Sequence, residues 1–213
     1  MGGSFAAGSV LSVNVSAIRT VEYHGDLVTT GIFKSPVEGR IRFEGVNLRG
    51  DDQADRENHG GPIRAVYAYA NEDYRWWQGT LGRTLSAGKF GENLTLEGVD
   101  VSSALVGERW RVGTAILEVT SPRVPCYKLG IAMQDPGFIR AFARALRPGA
   151  YLGIVEEGDV GAGDSVAVTW KPQHNLTLET MARIYLFERK RLGELLVPQL
   201  PDEWREWVTS QSD

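Results

Sequence analysis

A chain of 213 residues, 42% of them hydrophobic, can form one large domain, or a domain with an appendage, without metal or disulfide staples. Its formal net charge of -4, with both signs mixed along the chain, lacks the basic footprint that duplex nucleic acid requires, so no nucleic-acid partner is expected. No apolar run approaches the roughly 20 residues of a bilayer span, and the single cysteine, Cys126, cannot form an intramolecular disulfide.

The stretch 5–13 has no basic residue before it and makes a poor signal peptide. Ala6 stands where myristoylation prefers Ser or Thr, so a cytoplasmic protein without membrane attachment is expected. From residue 9 to about 170 the pattern is strand-rich. Leu11, Val13 and Val15 alternate through a first strand, and 41–46 form a second. Further strands are predicted over 63–69, 93–96, 108–112, 115–120, 151–155 and 165–170, separated by Gly-bearing turns. Many short strands at this spacing argue a barrel or folded sheet. Two helices interrupt them. Asn71 is a candidate N-cap, with Glu72 and Asp73 in the favourable first turn. Asp135-Pro136 opens the second, whose Phe138, Ile139, Phe142 and Leu146 recur at helical spacing.

After Lys171-Pro172 the period changes. Thr177 caps a predicted helix to about residue 190, a Leu-rich segment covers 192–197, and Pro201-Asp202 opens a third piece with Trp204, Trp207 and Val208. The expected architecture is mainly β with α: a barrel domain over 9–171 and a small three-helix unit over 172–213, each helix too short to be stable alone. That unit is expected to serve packing or docking, against a redox partner or in a homodimer.

Several chemistries lack their signatures: GxGxxG after a strand, GxxxxGK[ST], HExxH, CxxC and GxSxG are all absent. The three histidines, His24, His59 and His174, are far apart in sequence. What remains is Cys126, within Ser121-Pro122-Arg123-Val124-Pro125-Cys126-Tyr127-Lys128-Leu129. Two prolines stiffen this segment as it leaves a strand. Arg123 and Lys128 favour the thiolate, the form that attacks electrophiles and binds metals. A lone cysteine is equally at home as a small buried hydrophobe, and the residues alone leave both readings open. Two polar, glycine-rich stretches accompany it: Gly50-Asp51-Asp52-Gln53-Ala54-Asp55 running into Asn58-His59-Gly60-Gly61-Pro62-Ile63-Arg64, and Gly88-Lys89-Phe90-Gly91-Glu92-Asn93-Leu94. Glycine pairs allow close approach of backbone to a ligand, and a histidine beside them can shuttle a proton. The tryptophans and Phe90 read as core.

Taken in order, Lys34-Ser35-Pro36-Val37, the stretch from Gly50 to Asp55, His59-Gly60-Gly61, Phe90-Gly91-Glu92-Asn93-Leu94, Pro122-Arg123-x-Pro125-Cys126-x-Lys128-Leu129 and Arg147-x-Gly149-x-Tyr151 resemble the MOSC domains, named after the C-terminal domain of molybdenum cofactor sulfurases. The resemblance covers about 11–207 and is strongest to the YiiM type, which adds a C-terminal three-helix unit. Glu57-Asn58 precedes His59 where some relatives carry a second histidine.

The resemblance implies a β-barrel-like fold that binds the molybdenum cofactor, with Cys126 as the protein's metal ligand; pyridoxal phosphate is not expected. A soft thiolate suits a metal–sulfur bond. Cys126, His59 and Asp55 are then the implied catalytic residues. Arg123, Gly60, Gly61 and Asn93 are implied cofactor contacts, with Lys34, Arg64, Lys89 and Arg147 as the cations available to a phosphate. The implied activity is reduction of N-hydroxylated compounds such as hydroxylaminopurines. No flavin or iron–sulfur signature is present, so electrons would come from a separate redox protein. The alternative is a carrier of cofactor or activated sulfur without turnover.

Overall fold

The computed structural model describes residues 8–54 and 60–211. In chain order the strands are β1 (Gly8–Val15), a hairpin of β2 (Arg19–Tyr23) and β3 (Asp26–Thr30), short β4 (Ser35–Pro36), β5 (Ile41–Glu44), β6 (Asn47–Leu48), β7 (Val66–Ala70), β8 (Leu94–Glu97), β9 (Arg109–Val112), β10 (Ala115–Pro122), β11 (Ala150–Glu156), β12 (Gly158–Val160) and β13 (Ser165–Trp170). The helices are α1 (Asn71–Leu81), α2 (Tyr127–Met133), α3 (Phe138–Ala145), α4 (Leu178–Phe187) and α5 (Asp202–Ser210).

Seven strands close a barrel in the order β13-β9-β10-β11-β7-β8-β1, sealed by β1 pairing with β13. Every pairing in the ring is antiparallel except β7 with β8, which are joined by a crossover through α1. β9 shows the half-buried alternation, with Trp110 and Val112 inward and Arg109 and Arg111 outward. β7 is buried on both faces. Val66, Ala68 and Ala70 join the barrel core, while Tyr67 and Tyr69 enter a second, aromatic core outside the barrel wall. There Trp77, Phe90, Phe138 and Phe142 pack with them, and the Trp77 indole donates to the Tyr69 hydroxyl at 2.8 Å.

Local chemistry moves several predicted boundaries. The strand predicted over 63–69 starts at Val66, because Pro62–Arg64 turn as a 3-10 helix with proline at its start. Asn71 is the first helical residue and Ala70 the cap; the Asn71 amide is held by Glu97 at 3.1 Å. The strand before the cysteine runs on through Pro122, which pairs with Ala150. The hairpin β2–β3 and helix α2 have no counterpart among the predicted elements.

Thr177 does cap α4, its side chain accepting from the Thr180 backbone N–H at 3.1 Å. α4 ends at Phe187, and Arg189–Leu195 continue as a 3-10 helix. The C-terminal pieces bury Leu178, Met181, Ile184, Leu195, Trp204 and Val208 in the same core as the barrel residues. No helix among the described residues is long and apolar enough to cross a membrane.

Candidate functional site

Cys126 is the N-cap of α2, at the point where the chain leaves β10 and turns into the helix. Leu129, Ala132 and Met133 of that helix are buried in the aromatic core, so the thiol is fixed between barrel and core. It borders two cavities. The first, about 80 Å³, is bounded by Lys34, Asp52, Arg64, Arg123, Lys128 and Cys126. The second, about 470 Å³, is bounded by Ser121, Glu203, Trp204, Trp207 and Tyr185 on its far side. Arg64, Cys126 and Tyr151 belong to both.

The cationic wall of the first cavity is built from buried, paired charges. Lys34 bonds both carboxylate oxygens of Asp51, the contact to Oδ2 being 2.5 Å. Burial lowers the Lys34 pKa, and the Asp51 carboxylate opposes that shift. Asp51 also accepts from the Ser16 N–H and the Asn93 amide, each at 2.9 Å. Asn93 in turn accepts the Tyr67 N–H at 3.0 Å. One carboxylate thereby ties the loop after β6 to β1, to Lys34 and to the end of the Phe90–Asn93 motif.

Arg123 donates to the Phe90 carbonyl and lies 4.9 Å from the Tyr67 ring centroid. Its burial disfavours the charge. Tyr67, Tyr151 and Cys126 nearby outweigh that, and the guanidinium pKa is held above its ordinary value. A fixed positive charge therefore faces the thiol.

Two glycines of the recognised motifs have steric reasons. Gly91 has φ +76°, and a Cβ there would meet the Ile32 side chain at 2.8 Å. Gly149 has φ +68°, and a Cβ would meet the Ala68 carbonyl oxygen at 2.6 Å. Between them Glu92, fully buried, accepts on one oxygen from the Gly88 N–H, Tyr74 and Thr95 at 2.7, 2.7 and 2.8 Å. Burial raises its pKa.

Of the residues expected from the sequence, Cys126, Arg123, Lys34, Arg64 and Asn93 meet at the first cavity. Lys89 borders a different, shallower space beside Arg19 and Ser86. Arg147 pairs with Asp73 and lies 4.8 Å from the Trp76 ring, at a cavity of its own. Gly60 and Gly61 border a third space, with Pro62, Glu118 and Gln199. Asp55 and His59 lie outside the described residues. Sequence reasoning placed Lys128 beside the thiol without naming it as a cofactor contact, and it did not select Tyr67 or Gln53 at the first cavity, nor Glu203, Trp204, Trp207 and Tyr185, which wall the second. For Lys128 the signal was present, two residues past the cysteine.

The donor set fits the molybdenum cofactor: a soft thiolate ligand, with fixed cations at the cavity where an anionic pterin phosphate would lie. A closed barrel with one thiol facing a cationic cavity defines a class, and the MOSC domain family model matches residues 55–167; the chain belongs to this family. The family binds the molybdenum cofactor, and the protein has a molybdenum cofactor-associated function. It is 32% identical over 209 residues to the uncharacterized protein YflK of Bacillus subtilis, covering 96% of this chain and 95% of the relative. A Gibberella moniliformis protein named reductase is 25% identical over 83% of this chain, which spans 32% of that longer protein. The crystal structure of YiiM from Geobacillus stearothermophilus superposes with a TM-score of 0.79 at 28% identity, covering 95% of this chain and 98% of that one.

Proposed function

We propose that this protein is a molybdenum-dependent reductase that removes oxygen from N-hydroxylated compounds, hydroxylaminopurines among them. The observation that carries the reading is the position of Cys126 on the boundary of two cavities, one cationic and one aromatic. A metal held by this thiolate would face both the space for an anionic cofactor and a separate space for substrate, which a simple carrier does not need.

The overall reaction balances as R–NHOH plus two electrons and two protons giving R–NH2 and water. When bound, the cofactor supplies a centre that accepts the oxygen and passes the electrons on. The chain's own contribution is to hold and orient. Cys126 provides the ligand, and the Arg123 guanidinium at the same cavity places a positive charge that favours a thiolate. Lys128, with the Asp51-paired Lys34, would hold negative charge on the cofactor. His59 is the proton donor that the family resemblance assigns. Electrons come from a separate redox protein.

The test is expression in a host that makes the cofactor, followed by metal analysis and a reductase assay with an artificial electron donor. Wild type is expected to carry molybdenum and to turn over a hydroxylaminopurine. Cys126→Ser is expected to fold normally and to lose both, since a hydroxyl is a poor substitute for a soft thiolate. Equal molybdenum in wild type and mutant would sink the ligand assignment. Molybdenum without turnover of any N-hydroxylated compound would leave the carrier reading in its place.

A further inference from the structure

The second cavity has a wall unlike anything on the cofactor side. Tyr185 of α4 and Trp204 and Trp207 of α5 meet ring to ring, with centroids 5.2, 5.0 and 5.8 Å apart. Arg189 lies 4.5 Å from the Tyr185 ring and 5.1 Å from that of Trp207, fixing both from another side. Charge on this wall is cancelled internally: Arg64 and Glu203 make a two-point contact at 2.5 and 3.0 Å. The cavity therefore joins a π-rich wall to polar surface, and its Arg64–Glu203 pair is compensated within the wall.

It also has unused hydrogen-bonding capacity. Ser121 is 1% exposed and Trp204 8% exposed, and the Ser121 hydroxyl and Trp204 indole N–H have no partner among the described residues. Both residues border the cavity. A buried polar atom without a partner is unfavourable until one arrives. Its volume, about 470 Å³, is sufficient for a purine-sized ring system.

From these features we infer that the C-terminal helices build the substrate chamber, and that it takes a neutral, planar heteroaromatic ring. Trp207 and Tyr185 stack the ring, while Ser121 and Trp204 offer hydrogen bonds to its edge. Cys126 at the shared boundary sets the reacting group against the cofactor side. The assignment rests on the reductase reading and supplies its specificity. Trp204, Trp207, Tyr185 and Ser121 are binding residues in this scheme, and the helical unit is a part of the site.

Equilibrium dialysis of the purified full-length protein against adenine, the product of removing oxygen from a hydroxylaminopurine, reads this binding without turnover. A saturable site is expected. Trp207→Ala should weaken it by about tenfold or more, as loss of one base-stacking ring does. Ser121→Ala, which removes only the hydroxyl, should weaken it several-fold with the melting profile retained. Molybdenum content should be the same in all three proteins. Absence of saturable adenine binding by wild type, or binding unaffected by both substitutions, would overturn the inference. If adenine binding behaves as expected while Cys126→Ser keeps its molybdenum, the chamber stands and the cofactor-ligand assignment alone falls.

Discussion

The two sides of Cys126 are held in place by different physics. On the cationic side, order comes from a few charge-assisted hydrogen bonds spanning long sequence distances, centred on Asp51. On the aromatic side it comes from ring packing between two short helices, with one ion pair, Arg64–Glu203, crossing to the barrel. A network that converges on one buried carboxylate is intolerant of any single loss, because the partner charge stays buried. A stacked wall spreads its stability over many weak contacts and degrades gradually. The cationic side is thus built for fixed geometry, while the aromatic side tolerates gradual change.

Mutations separate the two behaviours. Asp51→Ala should be the most damaging, by about 3–5 kcal/mol, since it strands the Lys34 ammonium in a buried site and releases the Ser16 and Asn93 groups. Urea denaturation would read this, and a loss under about 1 kcal/mol would show that water reaches Lys34 freely. Met181→Ala, at a fully buried position of α4, should follow at about 2–5 kcal/mol, because the helical unit shares the barrel core. A biphasic melt with an unchanged barrel transition would show instead that the two units fold independently.

A third change concerns pH. Burial raises the Glu92 pKa above its ordinary 4.5, so the unfolded chain loses this proton at a lower pH than the folded one. The stability it contributes is complete below that ordinary value and is lost as pH rises through the folded value. Glu92→Gln should flatten this fall, measured as denaturation midpoints from about pH 4 to 8. An identical slope in both proteins would assign the pH dependence elsewhere. The smallest effect is expected from Glu203→Gln, about 1 kcal/mol or less, because the Glu203 carboxylate is 58% exposed and screened.

The cationic side was legible in the sequence because its demands fall on unusual residues. Gly91 and Gly149 occupy backbone that other residues avoid, and the single cysteine stands between prolines and cations. The aromatic wall was not legible. Trp204, Trp207 and Tyr185 recur at helical spacing, and that pattern is the same whether a ring faces a core or a cavity. The hairpin β2–β3 is not legible because its strands are largely exposed and polar, with Val21, Tyr23 and Val28 partly buried and only the terminal Thr30 fully so. Helix α2 was hidden by its brevity and by the prolines just before it. The separate positions of Lys89 and Arg147 follow from topology: charge alone gives no direction, and only the folded barrel shows which cations share a cavity.

The seal of the barrel bears on how the chain reaches this state. Gly8 pairs with Val166 and Ser9 with Ser165, so the first strand finds its last neighbour only near the far end of the sequence. During synthesis the ring stays open until β13 has emerged, and β1 presents an unpaired edge for most of that time. Closing so long a loop delays the final contacts, placing barrel closure among the slow steps of folding. Strand β1 is then the segment most in need of shielding before the chain is complete.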